Sequence, residues 1–416
     1  MSNYSGAGQN YQYVLPFQND AVPSSFKSNL APRPINCTLQ TVVVPSTSAN
    51  AGLGTTSTIQ VPLGNSAYIC NPYLRFKVVY TGVDTQSFRF KGAAGGASAL
   101  IASYQTSINS TLIDNIQNYG LGIMEPILAH SSSSDWLNKD GSVLMNTPHL
   151  ATTFAGATAT EVYCLPLIGL LGSQQSFPAF CINGVLQISI NWVSALANAL
   201  TTSGAASVTA VSFQELSFVY DRVAVESDFI QKMKMDMSQS GAQYCYGFTN
   251  YQSLTAVSTN GQNTINTGLN VSSLRGVVMT SVATADLTTL QNADGYSIRN
   301  GLSNFQVTLD GRLVNSSILD AVNQPAVVFT ELQKCFSRVF DSSVTDISDK
   351  ATFLTQSFAA GVSANRVAEG LAFSGSPVSV VGLQLTQNAA TATNYIMYIS
   401  DYQLLIGANG EVSLIR

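Results

Sequence analysis

The sequence predicts an all-β fold: two tandem eight-stranded jelly-roll β-barrels, a double jelly roll, with a few short helices in the connections. Three observations predict it. Short runs rich in Val, Ile, Phe and Tyr alternate with clusters of Gly, Pro, Asn and Ser along all 416 residues. In Gln187-Ile-Ser-Ile-Asn-Trp192 the apolar side chains fall on every second residue, the period of a strand. And segments of the first half recur, in order, in the second.

The strand candidates are residues 39–44, 73–80, 185–192, 216–225, 274–280, 305–309, 378–385 and 395–406. Helical spacing is rarer. It occurs over 112–128, with Ile113, Ile116, Leu121 and Met124 in phase, over 228–237, with Ser227 or Asp228 as N-cap, and over 326–340, where Val328, Leu332, Cys335 and Phe336 form a stripe. These helices are islands between strands, not the alternating pattern of a doubly wound sheet.

The repeat organises the chain. Tyr73-Leu-Arg-Phe-Lys-Val-Val-Tyr80 aligns with Ser273-Leu-Arg-Gly-Val-Val-Met-Thr280 at an offset of 200. Tyr104-Gln-Thr-Ser-Ile-Asn-Ser-Thr-Leu-Ile113 aligns with Phe305-Gln-Val-Thr-Leu-Asp-Gly-Arg-Leu-Val314 at an offset of 201. The closing strands, Leu216-Ser-Phe-Val-Tyr-Asp221 and Ile396-Met-Tyr-Ile-Ser-Asp401, are offset by 180. The first half therefore carries about 20 extra residues before its last strand, for which the Ala- and Ser-rich residues 194–207 offer a place. The division that follows is an N-terminal arm (1–34), a first jelly roll (35–226), a linker helix (227–240) and a second jelly roll (241–416). Halves of this size suit one sandwich each, and a jelly roll limits exposed sheet edges. Residues 84–103, 129–161 and 341–370 are long for hairpin loops and are places for contacts with neighbours.

Composition narrows the function. Only 10% of residues are charged, against roughly 25% in an ordinary soluble domain. The longest apolar stretch, residues 161–172, is broken by Pro166 and is shorter than the ~20 residues of a membrane helix. The first residues lack the basic flank and apolar core of a secretory signal. A neutral Ser-, Thr-, Asn- and Gln-rich surface suits a molecule packed against copies of itself. The net charge of −5, and an arm holding only Lys27 and Arg33, argue against strong direct nucleic-acid binding. The six cysteines form no Cys-x-x-Cys pair, so buried reduced thiols are expected instead of zinc or disulfides.

The residue types capable of chemistry have plainer readings. His130 before Ser131–Ser134, and His149 after Pro148, lack a Gly-x-Ser-x-Gly elbow and read as solvated or structural. Gly92-Ala-Ala-Gly-Gly96 lacks the Lys-Ser/Thr of a phosphate loop and reads as a flexible loop. Asp341, Asp346 and Asp349 miss the EF-hand spacing. Trp136 and Trp192 read as packing residues, and Met233, Met235 and Met237 as packing of the linker helix. No catalytic, cofactor-binding or metal-ligating residue is assigned and no cofactor is expected.

Several of these patterns, in this order, resemble the double jelly-roll major capsid proteins of tailless icosahedral DNA viruses, in the branch of polinton-like viruses, adintoviruses and virophages. Residues 66–78, including Asn71-Pro-Tyr-Leu-Arg-Phe76, resemble the early strand of the first barrel, and Ala99-Leu-Ile101 with residues 112–119 the strand-to-helix passage after it. Ser273-Leu-Arg-Gly-Val-Val278 resembles the opening segment of the second barrel, and Val307-Thr-Leu-Asp-Gly-Arg-Leu-Val-Asn315 its strand–Gly–strand feature. Residues 395–406 and 410–415 resemble the closing strands, so the likeness spans about 60–415.

The resemblance implies a non-catalytic structural protein of the virion, made inside the host cell. It implies a homotrimer of pseudo-hexagonal outline, its six barrels standing upright in the shell, joined into a lattice with penton or vertex and minor capsid proteins. Because the arm is not basic, an internal membrane or separate basic proteins would line the shell. The arm would order on assembly, tucked beneath the capsomer or toward a neighbour. The competing class is a β-sandwich attachment or carbohydrate-binding protein, spike- or fibre-like.

Overall fold

The computed structural model describes residues 38–64, 67–147, 150–173, 176–204, 208–224, 227–241, 243–299, 301–315, 317–336, 350–365, 375–387 and 391–416. The arm, His149, Asp341, Asp346 and Asp349 lie outside these residues.

The first half is built on eight strands: β1 (Thr38–Pro45), β2 (Thr56–Pro62), β3 (Ala67–Gly82), β4 (Ile101–Ile108), β5 (Thr111–Gln117), β6 (Thr158–Pro166), β7 (Val185–Trp192) and β8 (Val208–Ala224). They form two antiparallel sheets, ordered β1-β8-β3-β6 and β2-β7-β4-β5. In the second half lie β9 (Tyr244–Ser258), β10 (Gly261–Ala283), β11 (Leu302–Leu309), β12 (Arg312–Leu313), β13 (Ala359–Ser363), β14 (Ser376–Gln387), β15 (Ala392–Ile406) and β16 (Val412–Ile415). Strand β10 is long enough to serve two sheets. Its N-terminal part pairs with β14, and its C-terminal part lies between β15 and β13. The orders β9-β15-β10-β13 and β10-β14-β11-β12 therefore repeat those of the first half strand for strand. This is a double jelly roll.

Local chemistry explains the shared elements. The β4–β5 hairpin turns at Asn109-Ser110 and the β11–β12 hairpin at Asp310-Gly311. All four residues have positive φ (48° and 71°, 48° and 79°), the two-residue turn whose twist matches that of the flanking strands. Asp310 ties its turn to the neighbouring strand β14 by accepting the backbone N–H of Val380 at 2.8 Å and of Ser379 at 3.1 Å. The two hairpins superpose at the offset of 201 read from the sequence. That offset shrinks later. Ile188 pairs with Thr106 as Leu383 pairs with Val307, an offset of 195, and Phe218 pairs with Leu74 as Ser400 pairs with Leu274, an offset of 182. The extra residues of the first half are thus split, the smaller part before β7 and the larger between β7 and β8, at the Ala- and Ser-rich segment.

Each sandwich is filled by alternate residues of facing strands. In the first, Leu74, Phe76, Val78 and Tyr80 of β3 meet Ile59, Val61, Ile188 and Ile190, all fully buried. Trp192 stacks on Phe213 at 3.9 Å, meets Phe76 edge-on at 5.2 Å, and donates its indole N–H to Ser57 Oγ at 2.9 Å. In the second, Phe305, Val307, Leu383, Leu385 and Ile396 fill the core, and Tyr398 reaches across it to donate to Thr267 Oγ1 at 2.8 Å.

All eight strand candidates lie in strands, except that Val225, the last residue of the 216–225 candidate, lies outside the described residues. The helical reading of 112–128 is corrected: residues 111–117 form β5, and the chain turns helical only at Tyr119, entering α1 (Glu125–Ser131). Ile113 and Ile116 are buried against the sandwich, and the left-handed turn at Asn109-Ser110 commits the following residues to the ladder with β4. Helix α2 (Ser227–Ser240) covers its signal but already includes Ser227 and Asp228, so neither is its N-cap, and α3 (Pro325–Cys335) covers its signal up to Cys335, with Phe336 as the C-cap and residues 337–340 outside the described residues. No helix among the described residues is long and apolar enough to cross a membrane.

Candidate assembly interface

The residues that decide how this molecule presents itself sit where the two barrels meet. Strand β5, at the edge of one sheet of the first barrel, faces β9, at the edge of one sheet of the second. Asp114 of β5 is fully buried. It accepts the Thr106 hydroxyl at 2.7 Å, the Leu170 N–H at 2.9 Å, and, across the junction, the Asn250 amide at 2.9 Å. Burial pushes its pKa up to about 6, and the three donors only partly offset that. Nearby, Asn118 donates to Ser253 Oγ at 2.7 Å, Ser253 donates to the Gln117 carbonyl at 3.0 Å, and Tyr246 donates to the Leu170 carbonyl at 3.1 Å while its ring meets Phe177 edge-on. Asp114, Thr106 and the Asn250 amide N–H are buried and paired, Asn118 and Ser253 are half-buried and paired, and Asn250 Oδ1 has no partner among the described residues.

Two further contacts hold the barrels. Arg89 pairs with Asp294 at 2.5 Å, and the buried Lys91 donates to the Thr289 carbonyl at 2.9 Å and to the Asp286 carbonyl. Desolvation lowers the Lys91 pKa to about 8. On another side, His130 of α1 stacks on Phe336 and meets Phe353 edge-on. Burial drives its pKa down to about 4. His130 is therefore a neutral packing residue on a helix, which agrees with its structural reading.

The Gly92–Gly96 segment differs from its sequence reading. It is buried, and the N–H groups of Ala93, Ala94 and Gly95 converge on the Glu125 carboxylate, with Ala93 at 2.6 Å and Ala94 at 2.9 Å. The loop is an anion cradle filled from within the chain. A Cβ at Gly92 or Gly95 would lie 2.5 or 2.8 Å from that carboxylate, which is why glycine stands there. The signal in the sequence was Glu125 itself, but nothing local ties it to a loop 30 residues earlier. Trp192 is core, as read; Trp136 packs against the core from a partly buried position. Met237 is buried and Met235 exposed, so these two do not pack together, and the Met233 side chain lies outside the described ones. The five described cysteines are free thiols: Cys181 and Cys335 are buried, whereas Cys70, Cys164 and Cys245 are only half-buried. Among the described residues no group of three or more His, Cys, Asp or Glu is placed to hold a metal ion.

Away from the junction, each barrel shows apolar side chains at its other end. At the free end of the first, β1 pairs only with β8 among the described residues and shows Leu39 and Val43 to solvent. At the free end of the second, Leu313, Ile318 and Val322 are exposed around β12.

No protein-family model matches the sequence, and no curated protein matches it. Solved structures do match. PBCV-1 VP54, fitted into a reconstruction of the virophage Sputnik, superposes with a TM-score of 0.62 at 13% identity over 93% of this chain and 98% of its own. A chain of the Sputnik virophage structure gives 0.59 at 12% identity over 91% and 88%. The mavirus major capsid protein gives 0.53 at 12% identity over 95% and 93%. At these identities the likeness establishes the fold, and it covers nearly the full length of each partner.

Proposed function

We propose that this chain is the major capsid protein of an icosahedral virus, acting by self-assembly and not by catalysis. The observation that carries the proposal is the near-full-length structural likeness to a chain of the PBCV-1 virus capsid and to the mavirus major capsid protein. The chain divides into an arm (1–34), a first jelly roll (35–226), a linker helix (227–240) and a second jelly roll (241–416). Three chains form a trimer whose six similar barrels give a pseudo-hexagonal capsomer. Capsomers tile the shell with vertex and minor capsid proteins over an internal membrane or separate basic proteins. Low surface charge supports this reading, since unpaired charges are costly to bury in lateral contacts. So does the barrel junction, whose paired polar groups keep two barrels in a fixed relation.

Multi-angle light scattering tests the proposal: the purified chain runs as a compact trimer or larger assembly without added ligand. A monodisperse monomer at every concentration would overturn it. Because the arm is not basic, the trimer shows no tight, salt-sensitive DNA binding in a titration; finding such binding would remove the need for a separate lining.

A further inference from the structure

We infer that a cavity between the two barrels is a binding site for a sugar residue carrying a carboxylate, a recognition function separate from self-assembly.

The cavity has a volume of about 200 Å³. Its walls are residues 87–89, Ala151 and residues 201–203 of the first barrel, and Asn292 of the second. Four connections therefore meet there, and their backbones are tied to one another. The short strand 87–90 pairs with residues 200–202 on one side and with Thr152 and Thr153 on the other. Across the barrel boundary, the Thr202 N–H donates to the Leu290 carbonyl at 2.9 Å and the Asn292 N–H to the Thr202 carbonyl at 3.1 Å. The Ala293 N–H donates to Thr201 Oγ1, also at 3.1 Å. The cavity is thus formed before any ligand arrives, at a boundary between domains, where ligand sites concentrate.

The lining selects the ligand. Among the described lining residues Arg89 alone is charged. Asp294 holds its Nη2 at 2.5 Å, which orients the guanidinium, and its other N–H groups have no partner among the described residues. The Ser87 hydroxyl and the Asn292 carboxamide have none there either. The fork of an arginine matches a carboxylate, which accepts two parallel N–H bonds. The Ser87 hydroxyl and the Asn292 carboxamide can each donate and accept, as the hydroxyls of a sugar ring require. The buried Phe88 and the exposed Ala151 add apolar surface for the C–H face of the ring. A bare inorganic anion would leave the hydroxyl and carboxamide groups unused. The volume admits one ring and excludes a drug-sized molecule, whose clefts run to about 300–1,000 Å³.

Saturation-transfer difference NMR on the full chain tests this. The probe is methyl β-D-glucuronide. Methyl β-D-glucoside presents the ring without the carboxylate, and acetate the carboxylate without the ring. The glucuronide is expected to bind with a Kd of about 1 mM, and each control about tenfold more weakly or worse. Arg89→Met is expected to raise the Kd about tenfold or more. Ala151→Trp fills the mouth without touching the Arg89–Asp294 pair and is expected to abolish the signal. Asn292 has a φ of 53°, so Asn292→Gly keeps the backbone and removes only the carboxamide; it is expected to raise the Kd about threefold or more. Circular dichroism and light scattering check that each variant keeps the wild-type fold and association state. Equal binding of the glucoside would overturn the role of the carboxylate, and equal binding of acetate the role of the ring. No transfer to the glucuronide, or transfer that survives Ala151→Trp, would overturn the site. The capsid reading is tested separately, by light scattering of the chain without ligand.

Discussion

Replacing Asp114 by Asn asks whether a buried carboxylate between the barrels makes stability depend on pH. In the folded chain its pKa is near 6, against about 3.9 in an unfolded chain. A raised carboxyl pKa means that the folded state holds the proton more tightly. The stabilisation is complete below the unfolded value and is lost as pH rises through the folded one. With these two values the loss between pH 4.5 and 7.5 amounts to about 2 kcal/mol, and it is finished by about pH 7. Asn cannot ionise. Its amide can still face Asn250 if the Asn250 amide turns over and presents Oδ1, which has no partner in the present orientation. The assay is urea unfolding of wild type and Asp114→Asn at several pH values, taking the difference between the two proteins so that every other titrating group cancels. The wild type should lose about 2 kcal/mol relative to the variant from pH 4.5 to 7.5. A difference that is flat with pH, or that grows in favour of the wild type as pH rises, would refute the reasoning.

Other predictions follow from the same contacts. His130 titrates in the opposite sense: its depressed pKa makes stability fall as pH drops from about 6.5 toward 4, and His130→Phe should remove that fall in the same unfolding series. Trp192→Ala removes a fully buried ring stacked on Phe213 and should cost about 3–5 kcal/mol, read from the denaturant midpoint. Asp310→Ala strips two backbone N–H groups of their acceptor at the second hairpin and should cost about 1 kcal/mol, because the turn is exposed and water replaces the carboxylate.

The hairpins were legible because their determinants are local. An Asp-Gly pair between alternating strands selects its turn without help from the rest of the chain, and Asn-Ser at the matching place repeats the geometry. Strand β9 and the first part of β10 were not legible. Residues 261–270 read Gly-Gln-Asn-Thr-Ile-Asn-Thr-Gly-Leu-Asn, with few apolar side chains, and alternate between exposed and half-buried, so their strand character comes from pairing with β14 and not from a hydrophobic pattern. The helical spacing at 112–128 misled because Ile113 and Ile116, three apart, would lie on opposite faces of a regular strand, and only the bulge at Ile113, between Leu112 and Asp114, lets the strand bury both.

The doubling, the strand-rich halves and the weakly charged surface follow from residue order alone, since periodicity, turn chemistry and composition act within a few residues of one another. The contact of Asp114 with Asn250 and the filling of the Gly92–Gly96 loop by Glu125 needed the tertiary structure. Those partners lie 136 and about 30 residues apart, and their pairing is chosen by the burial of polar groups that must then find each other.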